Sequence, residues 1–155
     1  NPTSINKYQV DWYYYTAKFL NFDNKLPALM FFHIPLQEYQ IAVNLNKSKL
    51  IGTQNEGICF QPIDSGLFSA LLKINDTIAT FCGHDHNNDF CINYQGIYLC
   101  YEGSPGYQAY GKLGWNRRVR VTEIQEFGRI VVSWKRLDNG TIVDKYVLYN
   151  KNNVV

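Results

Sequence analysis

Length, composition and charge restrict what this chain can be. Its 155 residues are enough for one domain with a buried core, and a content of 46% hydrophobic, 15% aromatic and only 18% charged residues predicts a folded chain, not a disordered one. The formal net charge of +2 is too small to indicate a polyanion partner, so nucleic-acid binding is not expected. The basic cluster of Arg117, Arg118 and Arg120 ends in alternation with valine, which predicts a half-exposed strand.

The compartment is indicated only by indirect signals. No apolar run approaches the roughly 20 residues that a membrane-spanning helix needs. The chain begins with Asn1 and not with methionine, so we expect further sequence upstream. N-x-[ST] sequons at Asn46, Asn75 and Asn139 favour a secreted protein or one in the lumen of the endomembrane system, with the cytoplasm as the open alternative, because an asparagine-rich chain contains one or two sequons by chance.

The first third of the chain predicts a helix, a strand and a second helix. Ser4 can cap a helix whose apolar residues recur at three- or four-residue steps, and this face should pack on a sheet; its members are Ile5, Tyr8, Trp12, Tyr15 and Phe19. "PALMFFH", residues 27–33, is a short apolar run bounded by turn residues, which is typical of a fully buried strand. A short helix is expected over residues 36–43.

The remainder predicts one more helix and then strands. Asp64 or Ser65 can cap "GLFSALLKI", and "TIATFC" is a second buried strand. "DFCINY" and "IYLCY" flank Gln95-Gly96, which predicts a hairpin. "RVRVTEI", "RIVVSW" and "TIVDKYVLY" are separated by two turn sequences and predict an antiparallel meander. The expected fold is α/β (α+β), with a mixed sheet, helices on one side, a C-terminal antiparallel meander and a single region over 1–155.

The three histidines lie at the ends of two predicted strands. His33 ends the first, and "FCGHDHNNDFC" places His84 and His86 directly after the second. The loops beyond the carboxyl ends of such strands are where α/β folds bind ligands, and neutral imidazole is the commonest metal ligand. Gly83 allows a sharp bend, so that the two neighbouring imidazoles point to different places. Spacing alone leaves open the alternative that they are ordinary hydrogen-bonded loop residues.

Three other groups of side chains have two interpretations each. Asn88 and Asp89 either orient the imidazoles by hydrogen bonding or only form the turn. The four cysteines, Cys59, Cys82, Cys91 and Cys100, lack the CxxC spacing of a zinc knuckle. Cys91 and Cys100 stand at nearly equal distances from the hairpin turn and could be cross-strand neighbours, but buried free thiols are the expectation for all four. Tyr107 and Tyr110 could line the mouth of the site, but in so aromatic a chain packing is the expectation.

Several motifs together resemble one family. "FFHIP" and "CGHDHNNDFC", with "GICF", "GLFSALL", "GIYLCY" and "GYQAYG" followed by "RRVRV", resemble the C-terminal half of the calcineurin-like metallophosphoesterases, in the purple-acid-phosphatase-related branch of plants, fungi and protists. The resemblance extends from about Gln9 to Ile124. It implies the C-terminal half of an αββα sandwich. It also implies that His33 and His84 bind one metal ion and His86 a second, the pair being divalent or trivalent iron, zinc or manganese.

The resemblance also implies an activity and its limits. Such enzymes hydrolyse phosphate esters with a hydroxide held between the two ions. The chain lacks a fourth histidine and the Gly-Asp and Gly-Asn-His motifs of the family, so it supplies three metal ligands and no catalytic residue, and we expect it to be inactive alone. The implied partners are a phosphate-ester substrate and the missing N-terminal half of the domain. Glu102 and Gln108 stand where the family often has glycine.

Two rivals remain beside the phosphoesterase. One is a non-catalytic pseudophosphatase or binding module that keeps the scaffold, and the other is a small β-rich interaction domain with incidental histidines. If half of a sandwich is missing, "PALMFFH" and "TIATFC" should lie at an exposed face or edge, and the isolated chain should be poorly soluble. The position of His33 relative to His84 separates the incidental reading from the other two, because only a metal site requires them to meet.

Overall fold

Three α-helices and seven strands form the part of the chain that the computed structural model describes, residues 4–21 and 26–153. Short 3-10 helices lie at Lys47–Lys49, Glu126–Gly128 and Lys151–Asn153. In chain order the main elements are α1 (Lys7–Leu20), β1 (Ala28–Phe31), α2 (Gln37–Asn46), α3 (Leu67–Ile74), β2 (Thr77–Cys82), β3 (Cys91–Tyr94), β4 (Ile97–Tyr101), β5 (Arg118–Gln125), β6 (Ile130–Leu137) and β7 (Ile142–Asn150).

The first sheet is mixed and has the order β1-β2-β4-β3. β1 and β4 both pair with β2 in parallel, and β3 is antiparallel to β4. The turn between β3 and β4 is the predicted hairpin, since Gln95 (φ 50°) and Gly96 (φ 87°) both take the positive φ of a type I′ turn. The second sheet, β5-β6-β7, is the predicted antiparallel meander.

The first sheet is covered on both faces. Alternate residues of β2 point to opposite sides. Cys82 joins a core cluster formed with the helices, which includes Tyr39 and Leu71. Ala79 and Phe81 join a smaller cluster that reaches the second sheet; its other buried members are Cys91, Cys100, Val131 and Leu148. Helices therefore lie on one side of the mixed sheet and the meander on the other, and the α/β prediction is confirmed at this level.

The strand "PALMFFH" forms, but its predicted full burial is wrong. β1 is the edge strand of its sheet in the described part of the chain, its residues are half-buried, and the Phe31 side chain is 63% exposed. "TIATFC", by contrast, is central and buried as β2. Of the two runs expected at an exposed face or edge, only the first lies there.

The predicted core face of the first helix is also wrong. α1 is capped by Asn6, not Ser4, and Asn6 and Gln9 form a reciprocal capping box. The predicted residues within the helix are exposed, from 69% at Trp12 to 86% at Phe19. The opposite side packs instead, with Tyr13 buried and Val10, Tyr14 and Ala17 half-buried against the helical core. This second set also has helical spacing, so periodicity alone could not choose between the faces.

The arginine–valine alternation forms a strand in which the charged residues, and not the apolar ones, lie on the buried side. Arg118 and Arg120 at the start of β5 are buried, whereas Val119 is 40% exposed. The guanidinium of Arg120 donates to the carbonyls of Tyr101 and Asp89, so it joins the second sheet to the first. The strand is half-exposed, as predicted, because buried and more exposed residues alternate at its start, but the arginines occupy the buried side.

The cysteines differ from the expectation of free buried thiols. Cys91 and Cys100 are disulfide-bonded and directly opposite in the β3–β4 hairpin. Both backbone groups of Cys91 pair with Ile51 on its other side, so Cys91 and Cys100 form the closer, non-hydrogen-bonded type of antiparallel pair. Cys82 is a buried free thiol as expected, whereas Cys59 is free and exposed.

Within residues 4–21 and 26–153, no helix has both the length and the apolar character to cross a bilayer.

Candidate metal centre

Two of the predicted ligands meet beyond the carboxyl ends of β1 and β2. The parallel pairing continues past both strands, because the Gly83 N–H donates to the His33 carbonyl at 3.0 Å. His33 therefore lies opposite the start of the histidine loop, residues 83–90. Nε2 of His33 is 3.4 Å from Nδ1 of His84, and the two rings meet edge to face at 83°. The structure thus brings one imidazole from each strand end together.

The distance between these two nitrogens has the value expected for two ligands of one ion. Zn–N bonds of about 2.0–2.1 Å at a tetrahedral angle place two nitrogens about 3.3 Å apart. The 3.4 Å between His33 and His84 agrees with shared coordination, and it also lies at the long end of a direct hydrogen bond between two ring nitrogens. These residues therefore fit a metal ion.

The sharp bend of the histidine loop occurs at His84 and not at Gly83. His84 has φ 70°, and the Asp85 N–H donates to the Gly83 carbonyl at 2.9 Å across it, which makes a tight three-residue turn. Gly83 does not have positive φ. A side chain in this left-handed region is strained, and such strain is found at functional sites more often than elsewhere. The turn separates the directions of the two imidazoles, as predicted, but the glycine does not supply it.

The third histidine is held separately, against an aromatic ring. The His86 ring stacks on Tyr110 with centroids 4.1 Å apart and an interplanar angle of 11°. The His86 N–H donates to the Tyr110 hydroxyl at 2.9 Å, and this hydroxyl donates to Glu56 at 3.1 Å. Contacts among the described residues thus place His86 beside Tyr110 and do not join its ring to the other two imidazoles. The expectation that Tyr110 is only a packing residue is incomplete.

The hydrogen bond of the His86 ring determines which nitrogen is available. Nδ1 of His86 lies 3.2 Å from the Tyr110 carbonyl oxygen, which can only accept. Nδ1 must therefore carry the proton, and Nε2 of the neutral ring has the free lone pair. Arg117 donates to the same carbonyl at 2.9 Å, so the acceptor is fixed in turn. A hydrogen bond of this type is the usual support of a metal-binding histidine.

The acidic and amide residues of the histidine loop hold a neighbouring segment, residues 53–59. The Asn88 side-chain oxygen accepts from the N–H groups of Asn55 and Glu56 at 3.0 and 3.1 Å. Oδ1 of Asp89 accepts from the Thr53 N–H at 2.7 Å. Both side chains are completely buried. In the described residues their hydrogen bonds reach backbone groups and cations, and the proposed orientation of the imidazoles by Asn88 and Asp89 stays a prediction.

Asp85 is the third anchor of this segment. Its Oδ2 accepts from the Cys59 N–H at 3.0 Å and from the hydroxyl of Tyr101. Burial, followed by the nearby Cys82 and Asp85, raises the pKa of Tyr101 far above its ordinary value of 10, so this hydroxyl remains a donor. Asp85 therefore fixes Cys59 next to the histidine loop. The Cys59 thiol, a ring nitrogen of His84 and an Asp85 oxygen lie within 4.8 Å of one another, a group of the type that can hold a metal ion.

Sequence analysis missed Glu56, Tyr110 and Cys59 as neighbours of the histidines. Glu56 lies 31 residues from Asn87, whose N–H donates to its carboxylate, and 54 residues from Tyr110. No local spacing connects positions so far apart. The sequence shows only that Glu56 and Cys59 stand in a segment rich in turn residues. It does not show which side chains they contact.

Relatives with known names share most of this chain. No family model matches it. It is 39% identical to "Probable inactive purple acid phosphatase 14" of Arabidopsis thaliana, over 93% of this chain and 40% of that protein. It is 35% identical to "Phosphatase DCR2" of Saccharomyces cerevisiae, over 72% of this chain and 21% of that protein. This chain belongs to the purple-acid-phosphatase-related branch of the metallophosphoesterases.

Membership in this branch of the metallophosphoesterases comes with a difference in length. The chain spans 40%, 35% and 33% of the Arabidopsis relatives named probable inactive purple acid phosphatases 14, 29 and 28. Among solved structures, wild-type Vps29 of Entamoeba histolytica complexed with Zn²⁺ matches at a TM-score of 0.39 and 16% identity, over 61% of this chain and 51% of that one.

Proposed function

We propose that this chain contributes three metal ligands to a phosphoesterase that hydrolyses phosphate esters. His33 and His84 are the ligands of one ion, and His86 is a ligand of a second. The observation that carries the proposal is the 3.4 Å approach of Nε2 of His33 to Nδ1 of His84, from two strand ends. An incidental pair of surface histidines has no reason to adopt this geometry at the position where α/β folds bind ligands.

Each imidazole has a definite task in this proposal. When bound, two ions neutralise charge on the phosphoryl oxygens and make a coordinated water a stronger nucleophile at neutral pH. His33 and His84 present one nitrogen each from backbone that is fixed by the parallel pairing. His86 presents Nε2, because its Nδ1 proton is donated to the Tyr110 carbonyl. Iron, zinc and manganese are the metals compatible with the family.

The ligand set of this chain is incomplete for two ions. The two carboxylates of the histidine loop are already bonded within the protein: Asp89 pairs with two buried cations, and Asp85 Oδ2 accepts from Tyr101 and Cys59. Three neutral imidazoles without a carboxylate leave the charge of two cations uncompensated. The bridging carboxylate and the remaining ligands must come from another part of the full-length protein. We therefore expect the 155-residue chain alone to be inactive.

The surface supports the interpretation of this chain as half of an αββα sandwich. Among the described residues, exposed apolar side chains without a partner lie on α1, at Tyr8, Trp12, Tyr15 and Phe19, and on the edge strand β1, at Phe31. An open edge beside exposed aromatic side chains is a place for further strands and helices to pack. We propose the N-terminal half of the same domain as their partner, and we expect poor solubility without it.

The compartment follows from the cysteine chemistry in this proposal. A disulfide between Cys91 and Cys100 is stable in an oxidising environment, and the sequon residues Asn75 and Asn139 are exposed, where a glycan can be attached. We propose a secreted or lumenal protein.

A non-catalytic role is the second candidate. The names of three relatives in Arabidopsis include the words "probable inactive". A pseudophosphatase that keeps the scaffold and one ion would explain a preserved His33–His84 pair without a complete set of ligands. The two candidates differ in turnover, not in metal binding at His33 and His84.

Phosphatase assays on the full-length protein separate the candidates. Hydrolysis of a chromogenic aryl phosphate would be measured after loading with zinc, iron or manganese. We expect metal-dependent turnover that His84→Ala abolishes. Tyr107→Phe is the control, since this exposed hydroxyl bonds to Asp138 and not to an imidazole. Metal binding at His84 without turnover under any loading would reject the enzyme and favour the pseudophosphatase.

A further inference from the structure

Arg117 differs from the two other arginines of the basic cluster. Arg118 and Arg120 are buried, whereas Arg117 is half-buried. Among the described residues, the Arg117 guanidinium forms no salt bridge. It donates instead to two successive carbonyls, those of Ala109 at 2.5 Å and Tyr110 at 2.9 Å. Arg117 therefore fixes a piece of backbone in the loop between β4 and β5, residues 102–117.

The guanidinium of Arg117 lies directly on the backbone of Gly111. A Cβ at position 111 would stand 2.5 Å from both Cζ and Nη1 of Arg117 and 2.7 Å from Nη2. These distances are shorter than any ordinary contact, so a larger residue at 111 would displace the guanidinium. Gly111 does not have positive φ, so the space for Arg117, and not the backbone conformation, requires glycine here.

The Tyr110 carbonyl is shared between Arg117 and His86. Its oxygen accepts from the guanidinium at 2.9 Å and lies 3.2 Å from Nδ1 of the His86 ring. A carbonyl oxygen has two lone pairs, so it can accept from both donors at once. The peptide unit that carries this oxygen is held by Arg117 on one side, and its direction decides whether the His86 ring finds an acceptor.

We propose that Arg117 is a positioning residue for the second ion. It holds the Tyr110 carbonyl so that the proton of His86 stays on Nδ1, and Nε2 thereby keeps the lone pair that an ion needs. This inference rests on the proposed assignment of His86 to that ion. Among the described residues no hydrogen bond joins the Arg117 side chain to His33 or His84, so the first ion should not depend on it.

Two substitutions test this role in different ways. Arg117→Ala removes the guanidinium, whereas Gly111→Ala keeps it and pushes it away from the two carbonyls. Gly106→Ala is the matched control in the same loop, because Gly106 does not have positive φ and a Cβ there would meet nothing within 4 Å. Far-ultraviolet circular dichroism and thermal unfolding check that each variant is folded.

Calorimetric titration of the metal-free full-length protein with Zn²⁺ measures the two ions separately. We expect two binding steps, of which His86→Ala loses one. Arg117→Ala and Gly111→Ala should each weaken that same step by at least about tenfold, the lower end of the usual loss when the hydrogen-bonded support of a metal ligand is removed. The other step should not change. The double variant should be no weaker than Arg117→Ala, because both substitutions act on one guanidinium.

Nuclear magnetic resonance of the histidine rings gives a second readout that needs no metal. The nitrogen chemical shifts of a neutral imidazole show which nitrogen carries the proton, and His86→Ala identifies the signals of His86. We expect the proton on Nδ1 in the unchanged protein and in Gly106→Ala. Arg117→Ala and Gly111→Ala should give a mixture of both tautomers, since the acceptor of the Nδ1 proton is no longer fixed.

The possible results separate this inference from the proposed function. A His86-dependent step that keeps its affinity in Arg117→Ala and Gly111→Ala would overturn the role of Arg117 and leave the assignment of His86 intact. Equal weakening of both steps, or a weaker second step with the His86 proton still confined to Nδ1, would also overturn it. If no binding step of the full-length protein depends on His86, both proposals for this residue are rejected.

Discussion

The carboxylate of Asp89 lies 2.9 Å from the ammonium group of Lys135, and both side chains are fully buried. Asp89 belongs to the histidine loop, whereas Lys135 lies on β6 of the antiparallel sheet. Arg118 on β5 binds the second carboxylate oxygen of Asp89 at 2.8 Å, and Lys135 also pairs with Asp144 on β7. All three strands of the second sheet therefore take part in fixing one end of the loop that carries His84 and His86.

Removal of the Asp89 charge should strongly destabilise the fold. Asp89→Asn leaves Arg118 without its carboxylate and Lys135 with only Asp144, and breaking a buried ion pair typically lowers the free energy of unfolding by about 3–5 kcal/mol. Urea denaturation measures this value. Asp11→Asn is the matched control, because Asp11 pairs with Lys7 on the exposed side of α1. The control should show no detectable change. Similar effects of the two substitutions would contradict the structural role of Asp89.

The strained turn predicts an unusual order of stability at His84. Because His84 has φ 70°, glycine should be more stable than alanine there by about 1 kcal/mol, the lower end of the cost of a left-handed residue with a side chain. His86 does not have positive φ, so the order should reverse, with His86→Ala more stable than His86→Gly by about 0.5–1 kcal/mol. Thermal unfolding of the four metal-free variants gives both comparisons. The same order at both positions would show that the turn is not centred on His84.

The cysteines should react in three steps. One thiol, Cys59, should be modified by a thiol reagent in the folded chain, and Cys82 should follow only after denaturation. Cys91 and Cys100 should react only after reduction. Mass spectrometry of the labelled peptides identifies each site. Four reactive thiols in the denatured, unreduced chain would contradict the disulfide.

Glu102 should make stability depend on pH. Burial raises the pKa of this carboxyl above its ordinary value of 4.5, and the nearby Arg120 guanidinium offsets only part of the rise. The folded chain thus holds the proton more tightly than the unfolded chain does. This difference stabilises the folded chain at pH values below 4.5, and the stabilisation is lost as the pH rises through the pKa of the folded chain.

Glu102→Gln isolates that effect. We expect the substitution to raise the stability of the chain, relative to the unchanged protein, more at about pH 7 than at about pH 4. Urea denaturation at the two pH values gives the comparison. An equal effect at both values would mean that Glu102 does not titrate differently in the folded chain.

The order of elements could be predicted from the sequence, but the faces of some elements could not. Turn residues such as Gln95-Gly96 determine hairpins locally, and the meander followed from similar signals. On α1, apolar residues occupy both sides, with Trp12 on the exposed side and Tyr13 on the buried one. The side of the helix that packs is determined by the surface opposite it. The spacing of apolar residues along the helix does not show which side that is.

The candidate site was only partly accessible to sequence analysis for the same reason. His33 and His84 became candidates because strand ends are a general position for ligands, and the resemblance to the family then assigned them to one ion. The parallel register brings them together. The positions of Asp89, Glu56 and Tyr110 depend on contacts between distant segments. Arg118 is an example. An arginine that alternates with valines is expected to be exposed, and its burial follows only from its ion pair with Asp89, which the sequence does not show.

The most direct test of the central claim is the position of zinc in a crystal of the full-length protein, measured by anomalous scattering. We expect a peak about 2.0–2.1 Å from both Nε2 of His33 and Nδ1 of His84. A second peak should lie beside Nε2 of His86. The claim would be contradicted by a zinc-saturated crystal without density between His33 and His84, in which the two imidazoles remain in direct contact with each other.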